Sequence, residues 1–326
     1  MREALEAALR ELFGPGELVA LTRIPGGASK EAWALDYRAG ERVHPLFLRR
    51  AGGGVIQRRT LALATEFRLL ELAHAHGVKV ARPLWYFPDL EGREAFLMDR
   101  LEGESIGTRV VRRPEYQRAR ETLPRAMAEE LARIHRIPLQ ELPPLPGPEG
   151  KPAHLWILEE LYGDLDALGE AHPALEWGLR WLQDHPPRPL PPVLVHGDFR
   201  VGNLMVNGEG LVAVLDWEFA HLGDPREDLA WPLVRAWRFG EDHRRLGGLG
   251  EVGPFLERYN ALTGAGIAEE ELFWWEVLGN VRWGLGALNQ ARRHLKGEER
   301  SVELAVLGRL AAEMEYEVLY LLEKHG

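Results

Sequence analysis

The stretch VLVHGDFRVGNLMVNGEGLVAVLDWE, Val193 to Glu218, constrains this chain more than any other. Two short apolar runs, Leu204–Val206 and Val212–Leu215, flank NGEG, a sequence suited to a hairpin turn. A hairpin brings its outer ends together, so Asn203, just before the first run, comes beside Asp216, just after the second. Asp198 lies on the irregular segment leading in. An amide oxygen and a carboxylate meeting at one point are hard ligands suited to Mg²⁺, which keeps few protein ligands because waters and substrate phosphates complete its shell. A further carboxylate nearby can accept a proton from a hydroxyl nucleophile. The stretch therefore predicts a metal–nucleotide site with a base beside it. A loop in which Asp198 and Asn203 merely cap turns is the reading that needs no ligand.

Composition narrows the setting. With no cysteine, disulfides, thiolate metal sites and cysteine nucleophiles are excluded. A formal net charge of −10 argues against a nucleic-acid binder, which carries a basic face. The start, REALEAALRELFG, has the period of an amphipathic helix and not of a signal peptide. No stretch is long and uncharged enough to span a bilayer. The expectation is a cytoplasmic protein without membrane or nucleic-acid contacts.

Strand-length runs follow the first helix: ELVALTRI, EAWALDYR and HPLFLRR, then, after a long helical segment from about Ile56 to His76, RPLWYFP and EAFLMDRL. Beyond Gly103 the chain reads as mostly helical. Glu115 to Arg136 is expected as one helix, IPLQELPPLPGPEGKP as a surface loop, and everything after Pro225 as helix. Strand patterns return only around residues 193–215. This predicts an α+β architecture of two units, 1–101 with a small antiparallel sheet and one long helix, and 102–326 larger and mainly helical.

Asp, four intervening residues, Asn, and a later Asp on a hairpin is the arrangement of a kinase catalytic loop and metal loop, here written H-G-D-x-x-x-x-N and D-W-E. On these motifs the chain resembles the aminoglycoside phosphotransferase (choline kinase-like) family. More narrowly, HGDFRVGNL…VLDWEFAHLGDPREDLAW together with FLRR resembles the kinase-like domains fused to acyl-CoA dehydrogenases in animals. The resemblance implies a protein-kinase-like two-lobe fold, with residues 1–101 binding nucleotide and 102–326 carrying catalysis and the acceptor. It implies Asp198 as the base and Arg200 where protein kinases carry a lysine near the transferring phosphate. It also implies Asn203 and Asp216 as Mg²⁺ ligands.

In the first lobe the resemblance makes IPGGASKEAW the loop over the phosphates, through Gly26, Gly27 and Ser29. Arg49 takes the place of the third-strand lysine, with Glu66 its expected partner. Strand alternation allows only one of Arg49 and Arg50 into the cleft. FLMDRLEG corresponds to the lobe connector, where backbone around Asp99 to Leu101 would meet the nucleotide base. His196, His135, Asp224 and Asp228 are read as supporting residues outside the catalytic set.

The interval from Asp216 to GDP is too short for a peptide-docking activation segment, so the implied acceptor is a small hydroxylated molecule. ATP or GTP would be the donor and transfer direct. ELFWWEVLGNVRWGLGAL is expected to help build the acceptor pocket. Arg282, Arg292 and Arg293 would suit an anionic or CoA-bearing acceptor, although as a solvated helix face they need no ligand, and Trp274, Trp275 and Trp283 read as core. The alternative function is a weakly active or inactive nucleotide-binding regulatory module, for which the arginine at the third-strand position is the only feature. Nucleotidyl transfer on the same scaffold is a third reading.

Overall fold

The computed structural model describes residues 1–24, 30–52 and 60–325. Helix α1 (Arg2–Phe13) is followed by strands β1 (Glu17–Ile24), β2 (Lys30–Ala39) and β3 (Arg42–Ala51), then helix α2 (Leu63–Ala75) and strands β4 (Pro83–Phe87) and β5 (Ala95–Asp99). The five strands form one antiparallel sheet in the order β1-β2-β3-β5-β4. Side chains alternate across a strand, so each face has its own duty. Leu35, Tyr37, Leu46, Leu48 and Leu97 are buried with Leu5 and Leu9 of α1. On the other face Phe96 packs with Phe67 of α2, and from there burial continues into the second lobe.

Helix α2 starts at Leu63, not near Ile56. The reason lies outside the helix: the Leu61 amide donates to the Glu218 carbonyl (2.8 Å), and Ala62 is extended (φ −61°, ψ 148°). The segment before α2 is thereby tied to the DWE stretch.

The second lobe contains helices α3 (Gly107–Arg112), α4 (Gln117–Ile134), α5 (Ala153–Leu168) and α6 (Pro173–Asp184). Strands β6 (Val193–Val195), β7 (Leu204–Asn207), β8 (Gly210–Val214) and β9 (His221–Gly223) come next, then helices α7 (Pro225–Ala230), α8 (Val252–Thr263), α9 (Leu272–Leu295) and α10 (Val302–His325). The helix expected over Glu115–Arg136 is split, because a 3₁₀ turn at Pro114–Tyr116 precedes α4. After α7 the chain does not remain helical. It runs through short 3₁₀ turns, where Arg238 donates to the Leu233 carbonyl and to Glu276 on α9. β9 pairs with β6 and lies just beyond Asp216, so the stretch from Val193 to Glu218 is closed by a strand too short to show alternation.

The lobes join through 100–103. Gly103 packs so closely that a Cβ would lie 2.8 Å from the Val206 carbonyl, and Glu104 bridges to Val206 of β7. That contact sets the connector leaving β5 against the β7–β8 hairpin. Among the described residues no helix is long and apolar enough to cross a membrane.

Candidate active site

The β7–β8 register pairs Leu204 with Val214, and the Leu215 amide donates to the Asn203 carbonyl (2.8 Å). The hairpin thus sets Asn203 against the residue preceding Asp216. Asp216 itself has φ 64°, a left-handed conformation that a non-glycine residue adopts at a cost and that clusters at functional sites.

Asp198 is nearly buried and held from three sides. Asn203 Nδ2 donates to Oδ2 (2.6 Å), while Arg200 Nε (3.0 Å) and Trp231 Nε1 (2.6 Å) donate to Oδ1. Asn203 Nδ2 also reaches the Asp198 carbonyl (2.9 Å). With its nitrogen turned to Asp198, Asn203 directs its amide oxygen away. The Arg200 guanidinium lies 4.3 Å from the ring centroid of Trp237, a cation–π contact.

Behind this loop is a buried brace. Asp228, on α7, accepts from the amides of His196 (2.7 Å) and Gly197 (3.0 Å) and pairs with His135 Nε2 (3.1 Å), whose Nδ1 meets the Tyr259 hydroxyl (2.7 Å). His196 is fully buried, and desolvation lowers its pKa, leaving it neutral. Its Nδ1 accepts from the Asp198 amide (3.2 Å) and its Nε2 meets the Leu215 carbonyl (3.0 Å), which places the ring proton on Nε2. Gly197 has φ 81°, and a Cβ there would sit 2.4 Å from the Phe219 carbonyl, so no other residue fits between His196 and Asp198. Asp224 caps α7, accepting from the Arg226 amide (3.0 Å).

The sheet supplies a second polar group. Arg49 and Arg50 point to opposite faces: Arg50 pairs with Glu31 (3.0 Å), whereas Arg49 turns to the cleft. There Arg49 Nη1 meets Glu66 Oε1 (3.2 Å) and Nη2 meets Asp216 Oδ1 (2.5 Å). Burial opposes the charged form of Arg49, but Glu66 and Asp216 outweigh it and raise its pKa. For Asp216, burial pushes upward and the Arg49 charge overrides it, so the carboxyl sits below its ordinary value. Lys30, absent from the residues expected at the site, joins the group by pairing with Glu66 (2.5 Å) and Glu218 (3.0 Å).

Gly26, Gly27 and Ser29 lie outside the described residues. At the connector, the Asp99 amide donates to the Arg82 carbonyl (3.0 Å) and its carboxylate pairs with Arg82 (3.1 Å). The Arg100 amide is engaged by the Pro45 carbonyl (3.1 Å), and Leu101 follows in the connector.

Asp198 and Arg200 border a cavity of about 890 Å³. α5 lines it with Glu159, Glu160 and Asp164; α9 lines it with Arg282, Trp283 and Arg293, and Lys296 lines it just beyond the end of α9. The α9 arginines are thus cavity residues, not a purely solvated face, while Trp274 and Trp275 are core. The Arg282 guanidinium lies 5.1 Å from the Trp231 ring centroid, above the indole that holds Asp198. Neither the α5 acids nor Trp231 was marked by sequence: the acids read as an ordinary helix face, and Trp231 is separated from Asp198 by 33 residues.

A small antiparallel sheet with one cleft-facing helix, joined by a connector to a helical lobe bearing the Asp198–Asn203 loop and the Asp216 hairpin, defines a protein-kinase-like phosphotransferase fold. The chain belongs to the phosphotransferase enzyme family, whose profile matches residues 20–272. Mouse acyl-CoA dehydrogenase family member 10 is 30% identical over 269 residues, covering 76% of this chain and 24% of that protein. Acyl-CoA dehydrogenase family member 11 of Pongo abelii is 29% identical over 258 residues, covering 69% and 32%. The chain therefore spans no more than about a third of the length of these relatives. Among solved structures, a Ralstonia eutropha protein assigned to the aminoglycoside phosphotransferases superposes with a TM-score of 0.76 at 22% identity, over 99% of this chain and 98% of that one. The GDP complex of aminoglycoside 2′-phosphotransferase-IIIa superposes with a TM-score of 0.63 at 15% identity, over 97% and 98%. A mutant of aminoglycoside phosphotransferase APH(4)-Ia with ADP and hygromycin B gives 0.62 at 16%, over 98% of each. At these identities the likeness is one of fold.

Proposed function

We propose that this protein transfers the γ-phosphate of Mg²⁺-ATP or Mg²⁺-GTP directly to a hydroxyl of a small molecule, with Asp198 as the base. The observation that carries this reading is the Asp198 carboxylate, fixed by three donors at the rim of a cavity large enough for a small substrate. In this reading residues 1–101 bind the nucleotide, and residues 102–326 bind the acceptor and carry the catalytic loop.

The donor set fits magnesium: Asp216 offers a carboxylate and Asn203 an amide oxygen, both hard oxygen ligands. Held by these two side chains, a magnesium ion would supply positive charge to offset that of the donor's phosphates. Asp198 would orient the acceptor hydroxyl. As its oxygen bonds to the γ-phosphorus, the bond from that phosphorus to the bridging oxygen breaks, the nucleoside diphosphate leaves, and Asp198 takes the proton. Arg200, pinned over Trp237, offers a cation for charge on the transferring phosphoryl. Because the amides of Asp99 and Arg100 are already engaged, the base would meet the Asp99 carbonyl or the Leu101 backbone.

The cavity walls bear both signs of charge. An acceptor with an anionic part, a CoA ester among them, suits the α9 side with Arg282, Arg293 and Lys296. The reaction class is tested by incubating the protein with α- or γ-labelled nucleotide and a panel of hydroxylated metabolites. Label passing from the γ- but not the α-position supports kinase chemistry; transfer from the α-position would mean nucleotidyl transfer. Nucleotide binding without turnover of any acceptor would favour the regulatory module.

A further inference from the structure

Lys30 opens β2, and the strand register states where it points. Ala32 is opposite Arg49, so Lys30, two residues earlier, lies on the same sheet face and diagonal to Arg49. Glu31, between them, points the other way and pairs with Arg50. The cleft face therefore carries two cations, both meeting the one Glu66 carboxylate: Lys30 at Oε2 and Arg49 at Oε1.

These two cations are not equivalent. The planar fork of Arg49 is used at both ends, one nitrogen on Glu66 and the other on Asp216. That geometry locks Asp216 to α2 and suits a rigid guanidinium. Lys30 carries a compact charge on a flexible stem, with its side chain only about 10% exposed, and its second carboxylate partner is Glu218, two residues beyond Asp216. It can release Glu218 and turn toward an incoming anion while Glu66 still holds it. A point charge that swings is what a phosphate grip requires, and a strut is what the metal-binding carboxylate requires.

We infer that Lys30, from the second strand, is the cation that holds the donor's phosphates, and that Arg49, at the third-strand position, is a positioning residue that braces Asp216 and Glu66. This rests on the nucleotide-dependent reading above and reassigns the phosphate contact within it.

The test is calorimetric titration of the full chain with Mg²⁺-ATP, Mg²⁺-GTP and the corresponding nucleosides, for wild type, Lys30→Met, Lys30→Arg and Arg49→Met, with thermal unfolding of each. Lys30→Met should weaken the triphosphate about 10- to 100-fold, the scale of a lost charge-assisted contact, and leave nucleoside affinity unchanged. Lys30→Arg, which restores the charge without the compact swinging head, should recover part of the loss. Arg49→Met should bind the triphosphate with much of its Mg²⁺ dependence lost. Equal loss of triphosphate and nucleoside affinity in Lys30→Met, with no recovery in Lys30→Arg, would make Lys30 merely structural and overturn the inference. So would an unchanged triphosphate preference in Lys30→Met, or its disappearance in Arg49→Met alone. If Lys30→Met does not fold, Lys30→Arg decides: a triphosphate preference reduced from wild type with nucleoside affinity unchanged supports the assignment, and triphosphate and nucleoside affinities both as in wild type, or both lowered equally, overturn it. Wild type that binds no nucleotide would remove the functional reading itself, an outcome distinct from all of these.

Discussion

At the scale of single residues the site is a set of side chains whose freedom has been removed. Asp198 accepts from Asn203, Arg200 and Trp231, so its carboxylate has one orientation available. Replacing Asp198 by Asn should lower turnover by about 10²- to 10⁴-fold, the range for a general base, and spare nucleotide affinity. Unchanged turnover would remove Asp198 from its role. Trp231→Phe keeps the aromatic shelf under Arg282 and deletes one donor to a charged group. A fall in kcat of about 10-fold or more, with folding intact, is the expected result. Single residues are also where sequence reading reached its limit. The placement of Asn203 by the hairpin that precedes Asp216 was legible because a hairpin brings near neighbours together. The contacts of Trp231 with Asp198 and of Lys30 with Glu66 were not, since they join residues 33 and 36 positions apart that only the folded chain brings together.

At the scale of elements, α7 matters more than its length suggests. Its Asp228 satisfies two buried amides of the His196–Gly197 turn and fixes His135. Asp228→Ala leaves those amides without a partner and is expected to cost about 3 kcal/mol of stability, read from denaturant unfolding. Loss of less than about 0.5 kcal/mol would show that the brace carries no weight. The strands of the sheet were read almost to the residue because alternation and turn residues mark them. The start of α2 was misplaced, because the extended segment before it is held by the Glu218 carbonyl, a contact no local pattern encodes. β9, with three residues, has no room for a period.

For the whole molecule, the two-lobe α+β fold was readable from the order of strand-rich and helix-rich halves, with family resemblance supplying the lobe arrangement. The α9 side of the cavity, with Arg282 and Trp283, lies in the segment expected to help build a pocket; what patterns did not disclose is the α5 side, whose acids sit on a helix far away in sequence. Global stability should also carry a signature of its buried histidines. Burial lowers the pKa of both His154 and His196 below the ordinary 6.5. At these two sites the unfolded chain binds more protons below that pH, so their contribution to stability falls as pH drops from about 6.5 toward the folded values, while buried Glu130, Glu218 and Glu276, with raised pKa values, act the other way. The change in thermal midpoint between pH 8 and 5.5 should be less unfavourable in His154→Gln than in wild type; an identical slope in the variant would exclude His154 as a contributor. The central claim, a metal–nucleotide site built on the Asp216 hairpin, is tested most directly by calorimetric binding of ATP and GTP, with and without Mg²⁺, to wild type and Asp216→Ala. Mg²⁺-dependent binding in wild type that is lost in the variant is the expected result. Binding that ignores Mg²⁺ or survives Asp216→Ala would contradict the account.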